Sequence, residues 1–180
     1  MKRQRTKIVI APLGDADYFQ INKLSTLLAG KFGHTVDILQ GIKMPDEAYN
    51  LIKGQYYSTV ILQRLEMLKA SDKEKIIGVM EDDIYNARNH VLPYDIDAVA
   101  GSALISMYHL KQQFYGLPED EKLIYQRLVK EMSRIVGMLF GIPLCRNAKC
   151  VMYYSDDMYD IDQKRDRFCD ICKRRYLRLI

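Results

Sequence analysis

No apolar run in this sequence approaches the roughly 20 residues that a membrane-crossing helix requires, so an integral membrane protein is not expected. A secretory leader is not expected either. The basic start Met1–Lys7 is followed by Ile8-Val-Ile-Ala11, which stops at Pro12, too short for the apolar core of a signal peptide. A cytoplasmic location is therefore the expectation. Histidine is scarce: His34, His90 and His109 stand far apart, and each reads as a surface or hydrogen-bonded residue instead of a ligand. Charge of one sign is scarce as well. With 27 basic and 23 acidic residues the net charge is +4, too mild to imply nucleic acid. There is no internal repeat and no flexible linker, and cysteine is absent until residue 145.

What is present suits a folded chain. The 180 residues are 48% hydrophobic and 28% charged, which excludes a disordered or low-complexity scaffold. The expectation is one compact α/β domain over 1–180, with an α/β part over 1–141 and a zinc-stabilised subdomain over 142–180. Lys7–Ala11 reads as a buried strand, and Ile21, Leu24, Leu27 and Leu28 keep helical spacing from about Tyr18 to Phe32. Strands are expected at Thr35–Leu39, Lys75–Val79 and Ala98–Ile105, with helices at Pro45–Tyr49 and about Tyr57–Leu68. The longest helical pattern spans Glu119–Gly141. Acidic residues suit its N-terminus, Leu128, Met132, Ile135, Val136 and Leu139 give it an apolar face, and Gly141 with Pro143 stops it. Beyond it the chain reads as loop.

The cysteines fall as Cys145-x4-Cys150-x18-Cys169-x2-Cys172. Two close pairs joined by a loop are what tetrahedral Zn²⁺ needs, each pair placing two sulfurs about 3.5–4 Å apart on a tight turn. Two disulfides or four unrelated buried thiols are the alternatives, the disulfides disfavoured where no secretion signal is expected. Four thiolates around Zn²⁺ carry a net charge of −2, and Arg146, Lys149, Arg167 and Lys173 stand beside them. One structural zinc per chain is expected, with no open position for water or substrate.

Gly141-Ile-Pro-Leu-Cys145, Cys150-Val-Met152 and Phe168-Cys-Asp-Ile-Cys172 resemble the archaemetzincins, a family of metzincin-type zinc metallopeptidases. The family signature is H-E-x-x-H-x-x-G-x-x-H-C, then x4-C-x-M, then C-x-x-C. Ala11–Gly14, Gln55-Tyr56, Gly78-Val79 and Asp83–Tyr85 add weaker likeness upstream. The resemblance implies a metzincin-like mixed, twisted sheet with packed helices, a C-terminal zinc loop held by four cysteines, and Met152 as the Met-turn methionine. It also implies what has changed. Registered on Gly141 and Cys145, the three zinc-binding histidines are replaced by Arg134, Met138 and Leu144, and the catalytic glutamate by Ile135. A guanidinium cannot ligate zinc and a sec-butyl group cannot accept a proton. Glu131 lies one turn too early to serve as base. Met138 and Leu144 are expected to fill the vacated pocket.

The segment His90–Tyr94 corresponds to the family's substrate-pairing edge strand, and Pro93 would interrupt strand addition there. Glu81-Asp-Asp83 could hold a hard cation or close a strand as a loop, and Tyr153, Tyr154 and Tyr159 could line a residual cleft or pack on the zinc loop. The basic tail Lys173–Arg178 reads as the solvated face of a zinc-capped helix. The functional expectation is an archaemetzincin-like protein without metallopeptidase activity, in a binding or regulatory role. The alternatives are an active zinc metallopeptidase with unrecognised ligands, or a zinc-stabilised nucleic-acid binder. A protein or peptide partner is left open, a membrane is excluded, and nucleic acid is not the favoured partner.

Overall fold

The apolar run from Ile8 to Ala11 is buried throughout and forms the middle of strand β1 (Lys7–Pro12). The computed structural model describes residues 6–88, 93–155 and 157–180. After β1, helix α1 (Tyr18–Phe32) starts at Asp17, whose carboxylate accepts the Phe19 N–H at 2.8 Å, and ends on Gly33 in the left-handed region. Ile21, Leu24, Leu28 and Phe32 form its buried face. Then follow β2 (Val36–Ile38), the two-residue β3 (Tyr49–Asn50), β4 (Gln55–Tyr57), α2 (Ser58–Met67), β5 (Glu74–Met80), β6 (Ile84–Tyr85), β7 (Tyr94–Asp97) and β8 (Ser102–Ser106).

The main sheet has the order β2-β1-β5-β8-β7. The first four strands run parallel and β7 pairs antiparallel with β8, so the sheet is mixed, as expected. The central strands are continuous apolar runs because both faces are covered. A small second sheet, β3-β4-β6, lies outside the sequence expectation, since strands of two or three residues leave no period to read. The expected strand from Ala98 begins late. Ala98–Gly101 is the turn between β7 and β8, closed by Gly101 at φ 75° and its N–H to the Asp97 carbonyl at 2.9 Å. His90, with Val91 and Leu92, lies outside the described residues. The Pro93 carbonyl accepts the Ser106 N–H of β8 at 2.8 Å, a contact inside the sheet that leaves the expectation about strand addition as it stood.

The chain folds as two compact units, Met1–His109 and Leu110–Ile180. The long helix therefore groups with the cysteine segment. In the second unit α3 (Glu121–Leu139) is capped by Asp120, which accepts the Leu123 N–H at 2.9 Å. It stops at Gly141, whose φ of 84° is one that L side chains rarely adopt. The region read as loop holds two more helices, α4 (Met158–Gln163) and α5 (Asp170–Leu179). One is a turn and a half long. The other shows only Cys172 and Tyr176 as buried anchors among basic residues, and neither gives a legible apolar stripe.

Gly78 in β5 marks a close approach in the first unit. A Cβ there would meet Leu65 Cδ1 at 2.8 Å, Leu13 Cδ1 at 2.9 Å and Leu104 Cδ1 at 3.0 Å. All three leucines are buried in one core, so none can swing away freely. Gly78→Ala is expected to lower stability by about 1–3 kcal/mol, read as a fall in denaturation midpoint. An unchanged midpoint would show that this core has slack.

Candidate metal centre

Helix α3 and the turns after it are fitted together at Gly137. A Cβ at that position would lie 2.5 Å from Met152 Sδ and 3.1 Å from Phe168 Cε1, so only glycine lets the helix and the Met152 turn meet. Beyond Gly141 the chain doubles back. The Cys145 N–H donates to the Met152 carbonyl at 2.9 Å, and the Cys150 N–H to that of Asn147 at 2.9 Å. These bonds set the first cysteine pair on a tight turn. Cys169 stands at the N-terminus of α5, its N–H directed at Cys150 Sγ at 3.3 Å, and Cys172 lies in the first turn of the helix.

The result is a cluster. The sulfurs of Cys145, Cys150, Cys169 and Cys172 lie within 4.8 Å of one another, and none is in a disulfide. Cys145 and Cys169 are 3.8 Å apart, close to the roughly 3.8 Å edge of a tetrahedron with 2.3 Å Zn–S bonds. Two of the four are buried and two half-buried. In the protein alone the four thiols compete for charge. Burial pushes the thiols of Cys150 and Cys172 up. Burial acts on Cys169 as well, but hydrogen bonds to its sulfur from the Cys172 N–H and the neighbouring thiols hold it down, at about 7. The donor set fits one tetrahedral metal and leaves no free position. Among the described residues, no second group of three or more His, Cys, Asp or Glu side chains could hold an ion.

The positions singled out on α3 behave unequally. Arg134 is almost fully buried, with its guanidinium 2.5 Å from the Glu131 carboxylate and Nη1 donating to the Tyr153 carbonyl at 3.3 Å. Ile135 is buried in core. Met138 is only half-buried, and Leu144 is 48% exposed. The expectation that Leu144 fills a vacated pocket is therefore corrected. It lines an open cavity of about 480 Å³ with Cys145, Arg146, Tyr153 and Tyr154. The turn at Pro143 aims Leu144 outward, and what closes the interior is charge.

That charge is what sequence reasoning missed. Glu131, fully buried, also meets the ammonium of Lys164 at 2.6 Å, making a buried Arg134–Glu131–Lys164 triad. The three groups pair by charge where none of them is open to solvent. Burial lowers the Lys164 pKa to about 8, with attraction to Glu131 opposing and repulsion from Arg134 adding to the drop. The i,i+3 spacing of Glu131 and Arg134 was the available signal. Nothing in the sequence pointed to Lys164. Nearby, Arg127 forks onto both Asp162 oxygens at 2.8 and 2.7 Å, and Lys130 donates to the carbonyls of Ile161 and Asp162. The C-terminal segment is thus tied to α3 by these contacts besides any metal.

The other candidates are structural. His34 Nδ1 lies 2.8 Å from the Thr6 carbonyl, and His109 Nε2 lies 2.6 Å from Asp83. Asp83 also accepts from Gln55 and from its neighbour Ile84, so the acidic stretch is a strand-end loop. Tyr153 and Tyr154 line the open cavity; Tyr159 is exposed outside it.

Comparison with known proteins converges. A family model described as peptidase family M54 matches residues 20–178. An archaemetzincin of Methanocaldococcus jannaschii is 33% identical over 172 residues, covering 94% of this chain and 92% of its own. The crystal structure of a zinc-dependent peptidase from Methanocorpusculum labreanum has a TM-score of 0.83 at 25% identity, covering 94% of this chain and 99% of its own. An archaemetzincin structure from Archaeoglobus fulgidus, complexed with malonate, gives 0.79 at 28%, with 93% and 98% covered.

Two outcomes follow from the geometry. Cys169→Ser should release the metal and speed amide exchange around Cys145–Tyr153 and in the first turn of α5. Exchange in α3 and α4 should stay slow, because the Arg127 and Glu131 contacts remain; loss of protection throughout would contradict this. The second concerns pH. Unfolded, Lys164 keeps its proton up to the ordinary 10.5; folded, it releases it near 8. Between those values the unfolded chain binds more protons, so raising the pH favours the folded state. Below about 8 the full cost of burying the cation is present. The stability of the parent relative to Lys164→Met should therefore rise between about pH 8 and 10, measured by denaturant midpoints with zinc held constant. A flat difference would refute it.

Proposed function

We infer, from the premise that this chain belongs to peptidase family M54, the archaemetzincins, that it keeps the family's fold and a structural zinc at four cysteines without metallopeptidase activity. Its role is then binding or regulation. Cys145, Cys150, Cys169 and Cys172 would hold the ion, which supplies cross-linking of the C-terminal turns and no reactive position.

The observation that carries this reading is Arg134. On the family register it stands where the first zinc-binding imidazole belongs, and its guanidinium is buried against Glu131 and the Tyr153 carbonyl. A fixed cation there repels a second dication and offers no lone pair. Ile135, at the position of the general base, has no group that can take a proton from water. Leu144 offers no donor atom, and the Met138 thioether is not among the imidazole, thiolate and carboxylate groups that usually hold zinc. Glu131, the nearest carboxylate, is engaged by two cations and is not free to act as a base. Similarity of fold to a peptidase does not restore the chemistry of a site whose side chains differ.

The elements present suit this role. Among the described residues no helix is long and apolar enough to cross a membrane. The open cavity beside Cys145, lined by two tyrosines and Arg146, is what remains exposed near the altered positions.

Metal content separates the readings. Purified protein should contain about one zinc per chain, removed together with the fold of the cysteine turns by a strong chelator. It should cleave no peptide with or without added zinc. Two tightly held zincs, or chelator-sensitive hydrolysis that copurifies with the chain, would instead support an active metallopeptidase with ligands unlike the family's.

A further inference from the structure

We propose that the cysteine-rich unit carries a docking surface for single-stranded nucleic acid, laid across the first cysteine turn and the exposed side of α5. The whole-chain charge of +4 argues against nucleic acid only as an average; placement is what a phosphate backbone meets.

The cations of this unit divide into two groups. Arg127, Arg134 and Lys164 face inward and are matched by Asp162 and Glu131. A second group faces solvent. Arg146 and Lys149 flank the first cysteine pair, Arg165 and Arg167 lead into the second, and Arg174 and Arg178 lie one turn apart on α5, away from its buried Cys172 and Tyr176. All six are exposed, and none makes an ion pair among the described residues. Asp162 is directed to Arg127 and Asp157 to the cap of α4, while exposed Asp166 and Asp170 stand among the six and still leave the balance positive.

Backbone contacts tie the first cysteine turn to the segment that leads into the second. The Arg165 N–H donates to the Lys149 carbonyl at 3.1 Å, and the Val151 N–H to the Arg167 carbonyl at 3.0 Å. The cysteine cluster then holds the first turn against the start of α5. A surface of four segments is thereby fixed in one arrangement, so little is lost in ordering it on binding.

The chemistry favours phosphate together with bases. Five of the six side chains are arginines, whose planar fork matches phosphate oxygens two at a time. Arg146 also borders the cavity of about 480 Å³ lined by Tyr153 and Tyr154. An open cavity with tyrosine rings beside a phosphate-binding cation suits an unstacked base, which every single strand offers and a duplex does not. An acidic protein segment or an anionic bilayer would meet the cations and leave the tyrosine cavity unused. Apart from Leu144 at the wall of the cavity, the surface uses none of the altered peptidase positions, so detection of hydrolysis would overturn the preceding reading and leave this one standing.

The test is fluorescence anisotropy on the zinc-loaded full chain with labelled oligonucleotides of about 20 nucleotides, longer than one such surface needs: single-stranded RNA, single-stranded DNA, and the duplex of the same sequence. Single strands should bind at about 50 mM salt and lose roughly 10²-fold in affinity by 200 mM, as release of counterions from about five phosphates requires. The RNA and DNA arms tell which strand is preferred, and either preference supports the surface. Arg174→Glu with Arg178→Glu should weaken binding by about 10-fold or more and flatten the salt dependence. Tyr154→Ala should weaken it with the salt dependence kept. Both substitutions are on exposed side chains, and zinc content with thermal melting verifies that the fold is intact. Absence of binding at the lower salt, unchanged affinity in either folded variant, or equal binding of duplex, polyglutamate or phosphatidylserine vesicles would overturn the proposal.

Discussion

Four sulfurs held within 4.8 Å of one another cannot all be ionised unless a cation stands among them. Much of the second unit is arranged around that constraint. The turn after Gly141, the doubling back from Cys145 to Met152 and the start of α5 at Cys169 all deliver sulfur to one point. With a metal bound, thiol repulsion becomes shared attraction, and three separate stretches of chain become one turn system. Without it, burial holds the thiols of Cys150 and Cys172 up and keeps their protons on sulfur, while Cys169 is held down to about 7.

A second electrostatic centre sits one helix away and works by the opposite route. Glu131, Arg134 and Lys164 satisfy one another with no metal, in a site that water does not reach. Such a cluster is a poor source of net stability, because desolvation takes back most of what attraction gives. Its contribution is to specify. Arg134 must face Tyr153, and Lys164 must turn inward from the segment between the cysteine pairs, which fixes α4 against α3 together with the Arg127–Asp162 fork. Four sulfurs gathered to one point and a carboxylate between two cations are different answers to the same problem, that of holding a short segment with too little apolar surface for a core of its own.

How much of this could be read from residues alone depends on the range of each interaction. β1, α1 and β5 were legible because their apolar runs carry the signal within a few residues. The cysteine centre was legible because zinc needs a spacing, and that spacing survives in one dimension. The β3-β4-β6 sheet was not, because two-residue strands have no period. Helices α4 and α5 were not, because a six-residue helix held by Asp157 and a basic one anchored by Cys172 and Tyr176 lack an apolar stripe. Leu144 misled because hydrophobic character was taken to mean burial, where the backbone after Pro143 turns it outward. The triad was hidden for a simpler reason: Lys164 looks like any solvated lysine until the fold brings it beneath α3.

The fit at Gly137 has a consequence for oxidation chemistry. Met152 is fully buried with its sulfur against the helix, and the space that a Cβ at 137 would need is already taken. A sulfoxide oxygen would have to enter the same crowded region and would bring a dipole without a partner. Peroxide therefore reaches this methionine through openings in which α3 and the turn part, while exposed Met67 reacts at any time. The two methionines together amount to an internal clock, one recording exposure to oxidant and the other recording how often the cysteine-bearing turn lets go of its helix.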